Sequence, residues 1–171
     1  MITFYTYPGP NSRKAQIMLE ESGEAYETRT VDITKGEQFD PAYLRISPNN
    51  KIPAIVDHTP RGDVPVFETA AILIYLAEKT GRLLPAAGPG RIDVIAWLVW
   101  GTGGVGGTLP QLHHYADLPE RVPGTVERFA TEAVRLFNVL ERRLKEREYI
   151  CGDYSIADIP TFCSAAGWLG R

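Results

Sequence analysis

The chain has 171 residues, 44% of them hydrophobic and 23% charged, which predicts a globular protein of one compact domain or two small ones. Its net charge of −3 excludes a general nucleic-acid binder, which needs a basic face. No uninterrupted apolar run approaches the roughly 20 residues of a membrane span. The N-terminal MITFYTYP does not resemble a signal peptide, so we expect a cytoplasmic protein without membrane contact.

In chain order, the first 81 residues predict a mixed α/β domain. Strands are expected near residues 2–7, 27–32, 54–57 and 66–67, and helices are expected after Ser12, near 41–46 and over 68–79. Ser12 is expected to cap the first of these helices. The order βαβ followed by ββα is that of a thioredoxin-like domain, in which the last two strands are antiparallel.

The rest of the chain shows helical periodicity only. Residues 82–90 are rich in Gly and Pro and predict a linker. Glycines at 101–107 interrupt a helical segment, and they predict either a kink with a loop or a close approach of the backbone to another subunit or a substrate. An apolar stripe over 124–147 predicts an amphipathic helix. Ser155 and Asp158 predict the capped start of a further helix.

The cysteines predict neither a structural disulfide nor a metal site. Cys151 and Cys163 have no cluster of further metal-ligating residues around them, and a reducing compartment disfavours a disulfide. We expect both to be small apolar residues of the C-terminal half.

The segment SPNNKIPAIVD, residues 47–57, carries the first functional signal. Pro53 interrupts an apolar strand, where proline removes a ladder donor, and a cis Ile52–Pro53 peptide bond is one good reason for it. The backbone N–H and C=O of Ile52 would then pair with a peptide-like ligand as an added strand does.

A second segment, VFETAAILIYL at residues 66–76, begins an apolar helix with the pair Glu68–Thr69, where unpaired N–H groups attract a carboxylate. The two segments together resemble the glutathione site of the glutathione transferase superfamily. In that family a cis-proline follows the residue that pairs with glutathione, and an acidic-hydroxyl pair holds the γ-glutamyl end. The run KGEQFDPAYLRISPNNKIPAIVDH, residues 35–58, resembles the Nu-class branch.

The resemblance covers nearly the whole chain. It implies a thioredoxin-like, glutathione-binding domain over residues 1–81 and an all-α domain over 91–171. Family members usually carry two helices beyond the one that Ser155 would begin. The chain stops at Arg171, about where that helix should finish, so we expect a truncated or naturally short form.

The resemblance also implies glutathione as cosubstrate, no metal, a homodimer and a set of contacts. Glutathione would pair with the Ile52 backbone next to Pro53, and its γ-glutamyl end would be held by Glu68 and Thr69. Its glycyl or peptide ends would be reached by Lys51 and Gln38. Arg128 resembles an arginine that reaches the glutathione of the partner subunit.

The stretch YTYPGPNSRK, residues 5–14, has no cysteine, so glutathione itself must supply the sulfur. A hydrogen-bond donor at the start of the first helix would stabilise its thiolate. Asn11 ranks first, because it carries over from the Nu-class pattern Thr-Pro-Asn, although Gly9 stands where that pattern has threonine. The remaining candidates are Ser12 and then Tyr5 or Tyr7.

The implied function is glutathione-dependent reduction of disulfide bonds. Conjugation of glutathione to small electrophiles is the alternative, since it uses the same thiolate. A non-catalytic glutathione-binding or regulatory protein is the third hypothesis.

Overall fold

The computed structural model describes residues 1–120, 122 and 124–169, and the chain end at Arg171 lies outside them. It divides into two compact units, Met1–Leu84 and a second that begins at Pro85. The first unit combines a sheet with helices and the second is mainly helical. The predicted fold class, a thioredoxin-like α/β domain followed by an all-helical one, is therefore confirmed.

The first unit is built on a four-stranded mixed sheet. The strands stand in the order β2-β1-β3-β4, in which β1 pairs parallel with β2 and antiparallel with β3. Strands β3 and β4 are antiparallel, as predicted. The elements are β1 (Ile2–Thr6), α1 (Pro10–Ser22), β2 (Tyr26–Thr30), a 3-10 turn (Glu37–Phe39), α2 (Pro41–Leu44), β3 (Ala54–Thr59), β4 (Gly62–Phe67) and α3 (Thr69–Thr80).

The core of this unit holds the central strands against α1 and α3, which pack on each other. Both helices end at a glycine in the left-handed conformation, Gly23 and Gly81, which favours such a C-terminal stop. Burial removes the apolar side chains of this interface from water, which is the main stabilising term. The fully buried large side chains here are Ile2, Phe4, Met18, Leu19, Ile55, Ile72, Leu73 and Leu76.

The described part of the second unit contains four α-helices and one π-helical segment. Its first helix begins at Gly88, within the residues predicted as a linker. Helix α6 carries the predicted apolar stripe, from which Val126, Phe129 and Ala133 pack into a common core cluster. The elements are α4 (Gly88–Val99), the π segment (Trp100–Val105), α5 (Gly106–Ala116), α6 (Thr125–Leu144) and α7 (Asp158–Leu169).

The glycine-rich segment forms a π-helix, so the predicted loop is wrong. A Cβ placed on Gly101 would lie 2.5 Å from Oγ1 of Thr161 in α7. Gly103, in contrast, has no atom within 4 Å of such a Cβ. A close backbone approach therefore exists at Gly101, and the element that approaches is another helix of the same unit.

The start of α7 confirms the predicted capping motif. The Asp158 carboxylate accepts hydrogen bonds from the Ser155 backbone N–H at 2.9 Å and from the Ser155 hydroxyl at 3.1 Å. Its other oxygen accepts the backbone N–H of Ile150 at 2.9 Å. Asp in place of Glu therefore fulfils the reciprocal half of a capping box and also ties down the preceding loop.

The continuous helix Gly88–Ala116 is long and apolar enough to cross a membrane, with a mean hydropathy of 1.2 over its best window. The sequence expectation missed it because glycine and polar residues interrupt the apolar run. Core helices meet the same criterion, and this helix packs against α6 and α7. Its length and composition are therefore weak evidence for a membrane span.

The contrast between two glycines of the π segment gives a test of this packing. Gly101→Ala is expected to destabilise the protein by roughly 1–3 kcal/mol, because the new methyl group overlaps the Thr161 hydroxyl. Gly103→Ala is the matched control, and it should be neutral or stabilising by up to about 1 kcal/mol. Urea unfolding of both variants measures the difference, and equal midpoints would contradict the packing argument.

Candidate functional site

A pocket of about 140 Å³ opens in the first unit, where the N-termini of α1 and α3 come close to the start of β3. Its volume is roughly ten times what one water needs, so it holds a ligand group of several atoms. Six of the residues predicted for binding or catalysis line it together. The lining residues are Asn11, Ser47, Asn49, Lys51, Ile52, Pro53, Glu68 and Thr69.

The backbone before Pro53 is held in place by the hydroxyl groups of two side chains. The Lys51 carbonyl accepts hydrogen bonds from the Tyr43 hydroxyl at 2.7 Å and from the Ser47 hydroxyl at 2.9 Å. The Ile52–Pro53 peptide bond is cis, which confirms the sequence prediction. Ile52 lies outside the β-ladders, whose pairing starts at Ala54. Its peptide groups therefore border the pocket at the point where the sheet ends.

Glu68 stands at the N-terminus of α3 in an unusual conformation. Its φ of 69° lies in the left-handed region, which costs a residue with a side chain of order 1–3 kcal/mol. The Asn49 amide donates a hydrogen bond to Glu68 Oε1 at 2.9 Å. One carboxylate oxygen is thus oriented by Asn49, and the side chain lines the pocket beside Thr69. Strain of this kind typically marks a functional site.

Asn11 lies in the first turn of α1, and its Oδ1 accepts a hydrogen bond from Lys14 Nζ at 2.9 Å. The predicted cap by Ser12 is wrong. The helix already begins at Pro10 with Gly9 as its N-cap, because proline fits the first helical position. Ser12 is therefore an interior residue of the first turn, and its buried hydroxyl has no hydrogen-bond partner among the described residues.

The other predicted site residues are not among those that line the pocket. Gln38 belongs to the 3-10 turn, and its Oε1 is buried without a partner within the described chain. Tyr5 packs its ring against Tyr43 at 5.9 Å, while Tyr7 is half-buried after β1. Arg128 is an exposed residue of α6 in the second unit, so its role towards a partner subunit stays a prediction.

Sequence reasoning missed four residues that organise the pocket: Tyr43, Ser47, Asn49 and Lys14. Ser47 and Asn49 stand beside the recognised proline motif, so their proximity was a usable signal. The bond from Asn49 to Glu68 spans 19 residues and follows no local periodicity. Among the described residues, no group of three or more His, Cys, Asp and Glu side chains could hold a metal ion.

Two helix N-termini meet at this pocket without side-chain caps. Neither α1 nor α3 has a side-chain hydrogen bond to its first-turn N–H groups in the described chain. Unpaired N–H groups at a helix start carry a partial positive charge and bind anions. The arrangement is therefore suited to a ligand with two separate anionic groups and a peptide-like backbone between them.

The fold defines a thioredoxin-like domain followed by a helical one, and comparison with known proteins identifies its family. A family model described as the glutathione S-transferase N-terminal domain matches residues 1–78. Disulfide-bond oxidoreductase YfcG of Escherichia coli is 46% identical over 173 residues, which cover 98% of this chain and 80% of YfcG. Disulfide-bond oxidoreductase YghU of the same organism is 38% identical over 180 residues, which cover 99% of this chain and 60% of YghU.

Solved structures give the same result. A glutathione transferase family member from Pseudomonas fluorescens, crystallised with two glutathione molecules, matches with a TM-score of 0.94 and 41% identity over 99% of this chain and 77% of its own. A glutathione transferase from Pseudomonas putida, with one glutathione disulfide bound per subunit, matches with a TM-score of 0.92 and 37% identity over 99% and 76%. The chain belongs to the glutathione S-transferase family.

The strain at Glu68 predicts a difference in stability between two variants that lose the same carboxylate. Glu68→Gly and Glu68→Ala both remove the carboxylate and should both weaken glutathione binding at least about tenfold. The glycine variant should be more stable than the alanine variant by about 1–2 kcal/mol, because only glycine adopts positive φ without cost. Urea unfolding and calorimetric titration measure the two effects, and equal stability of the variants would argue against backbone strain.

The Tyr43 hydroxyl behind Lys51 predicts an alkaline loss of stability. Burial raises the pKa of Tyr43 to about 12 from 10.0. The contribution of the Tyr43 hydroxyl to the free energy of unfolding is therefore fully present below about pH 10. It is lost as the pH rises towards 12, since this tyrosine ionises at lower pH in the unfolded chain than in the folded protein. Burial likewise raises the pKa of Tyr75 to about 12.

Tyr43→Phe should reduce the fall in unfolding free energy between about pH 10 and pH 12. Tyr75→Phe is the matched variant, and it should remove the part of that fall that is due to ionisation of Tyr75. At neutral pH Tyr43→Phe should cost about 1 kcal/mol, because Ser47 still donates to the Lys51 carbonyl. An alkaline fall that is unchanged in Tyr43→Phe would show that this hydroxyl ionises normally.

Proposed function

We propose that this protein is a glutathione-dependent disulfide-bond oxidoreductase, in which bound glutathione supplies the reacting thiolate. The observation that carries the proposal is one pocket that joins the backbone of Ile52 to two uncapped helix N-termini. The names of the relatives YfcG and YghU support disulfide chemistry over other uses of glutathione. Related structures that hold two glutathione molecules or a glutathione disulfide support it further.

The ligand roles follow from charge and position. The γ-glutamyl carboxylate would bind the N-terminus of α3, with the Thr69 hydroxyl and backbone N–H as donors. The free oxygen of Glu68 would accept the γ-glutamyl ammonium. The Ile52 backbone would pair with the cysteinyl residue in strand fashion. Lys51 would attract the glycyl carboxylate, and Gln38 and the partner subunit's Arg128 would add contacts at the ends of the tripeptide.

The thiol would then lie at the start of α1, near Asn11. Lowering its pKa from about 8.5 to about 6.5 requires roughly 2.7 kcal/mol. One hydrogen bond to the charged sulfur supplies about 1.5–3 kcal/mol and a helix N-terminus about 0.3–1 kcal/mol, so Asn11 with the α1 terminus suffices. Ser12 and the tyrosines at positions 5 and 7 are the other donors. Asn11 is favoured because it lines the pocket.

The reaction is two successive thiol–disulfide exchanges. The glutathione thiolate attacks one sulfur of the substrate disulfide, forms a mixed disulfide and releases the other sulfur as a thiolate. A second glutathione thiolate attacks the glutathione sulfur of the mixed disulfide, which releases the second substrate thiol and leaves glutathione disulfide. Two glutathione molecules are oxidised for each disulfide reduced. The first unit has no cysteine, so no protein thiol takes part there.

The same proposal places the protein in the cytoplasm as a homodimer. Reduced glutathione is abundant in reducing compartments, and this agrees with Cys151 and Cys163, neither of which is in a disulfide bond. Dimerisation would allow Arg128 to act in the partner's site. Sedimentation of the purified protein measures the assembly directly.

The first experiment compares wild type, Asn11→Ala and Ser12→Ala in two assays, reduction of hydroxyethyl disulfide and conjugation of chlorodinitrobenzene. Wild type should reduce the disulfide and conjugate weakly. Asn11→Ala should lower kcat/KM for disulfide reduction at least about tenfold, because the thiolate loses a charge-assisted hydrogen bond. Ser12→Ala is the matched control within the same turn, and it should change kcat/KM by less than about threefold.

Three outcomes would contradict the proposal. Strong conjugation without disulfide turnover would assign the protein to the alternative transferase function. Glutathione binding with no turnover in either assay would favour a binding or regulatory role. A large effect of Ser12→Ala with none of Asn11→Ala would transfer the activating role to Ser12.

A further inference from the structure

Lys14 is an almost completely buried lysine beside the candidate thiol site. Its residue exposure is 2%, and its Nζ donates a hydrogen bond to Asn11 Oδ1 at 2.9 Å. Lysine is almost never fully buried unless it is paired, because a buried ammonium loses its hydration. Lysine side chains mostly remain exposed to solvent, so the burial of Lys14 needs a reason.

The bond to Lys14 decides which way the Asn11 amide faces. An amide carries an acceptor oxygen and a donor NH2 group, whereas an ammonium group only donates. The amide oxygen must therefore face Lys14, and Nδ2 with its two hydrogens is left for another partner. Because Asn11 lines the pocket, that donor is available where the proposed thiolate lies. Without Lys14 the amide could turn its oxygen to the sulfur, which would repel a thiolate.

The ammonium charge acts in the same direction. Lys14 follows Asn11 by three residues, so the two side chains share one face of α1. A positive group near a thiol favours its ionised form. Donation to the amide oxygen also polarises the amide and strengthens the hydrogen bond that its NH2 group gives.

We propose that Lys14 is a positioning residue that commits Asn11 to donate to the glutathione thiolate. The inference rests on the proposed function, in which Asn11 activates that thiol. Lys14 itself need not touch glutathione, since it acts through the Asn11 amide.

The direct test is the ionisation of bound glutathione, followed by its ultraviolet thiolate absorbance in wild type and Lys14→Met. Methionine has a similar length and no donor or charge. It should raise the thiol pKa by about one unit, which lowers the thiolate fraction about tenfold below that pKa. Accordingly kcat/KM should fall about tenfold at acid pH and recover at alkaline pH, where the thiol is ionised in both proteins. At pH values below the thiol pKa, where glutathione binds with its thiol protonated, its dissociation constant should change less than about threefold.

Two further variants separate orientation from charge and from stability. Lys14→Gln keeps a donor without the charge, and it should recover part of the thiol shift. Lys79→Met is the matched control, because Lys79 is also a partly buried lysine, paired with Asp57 and Glu24. It lies about 15 Å along α3 from Thr69, so it should lower stability and leave the thiol pKa unchanged.

A double-mutant cycle tests whether the effect passes through Asn11. In an Asn11→Ala background, Lys14→Met should have little further effect on the thiol pKa. Equal effects in both backgrounds would overturn the positioning role and leave only a direct field of the charge. An unchanged thiol pKa in both Lys14→Met and Lys14→Gln would overturn it completely. If Lys14→Met does not fold, Lys14→Leu replaces it, and an unchanged thiol pKa in Lys14→Leu would overturn the positioning role in the same way.

The titration also separates this inference from the proposed function. A wild type that binds glutathione with a lowered thiol pKa but turns over no disulfide would refute the function, and the Lys14 variants would still decide the positioning role. A wild type that does not bind glutathione would refute both.

Discussion

The unpaired N–H groups at the starts of α1 and α3 are the constraint on which the site depends. A helix cannot satisfy its own first N–H groups, and most helices therefore begin with a Ser, Thr, Asp or Asn cap. Gly9 and Glu68 occupy the cap positions here, and neither places a side chain on these groups. Both helix starts border one pocket, so their unpaired N–H groups present a partial positive charge to it. The function that we propose for this unit therefore depends on helix N–H groups that have no hydrogen-bond partner within their own helix.

Side-chain hydrogen bonds around the pocket hold this surface in place. Tyr43 and Ser47 fix the Lys51 carbonyl, Asn49 orients Glu68, and Lys14 holds the Asn11 oxygen. Each of these bonds holds a pocket-lining residue in one orientation. Preorganisation of this kind reduces the reorganisation that a site must undergo when charge develops on a bound group.

The second unit shows how glycine serves packing. Helices α4 and α5 remain continuous through the π segment. The glycines of that segment lower the stability of the helix, but they do not end it. At Gly101 the absence of a Cβ admits the Thr161 hydroxyl, which in turn donates to the Ala157 carbonyl within α7. In the sequence alone these glycines indicated an interruption of the helix. Only the position of α7 shows why a side chain cannot be present at Gly101.

The sequence determined the strand and helix order, the cis-proline and the acidic-hydroxyl pair. These features are encoded locally, in periodicity, in the position of Pro53 and in Glu68–Thr69. Residues close together in the sequence are therefore enough to predict them. The prediction placed the N-cap of α1 three residues too late, at Ser12 instead of Gly9. Ser12 is an ordinary capping residue and Pro10 an ordinary first helical residue, and only the backbone shows which one begins the helix. The tertiary structure alone decided that Asn49 meets Glu68 and that Lys14 is buried against Asn11. Those contacts depend on how α1, α3 and the loop before β3 converge in space, and no spacing along the chain records that convergence.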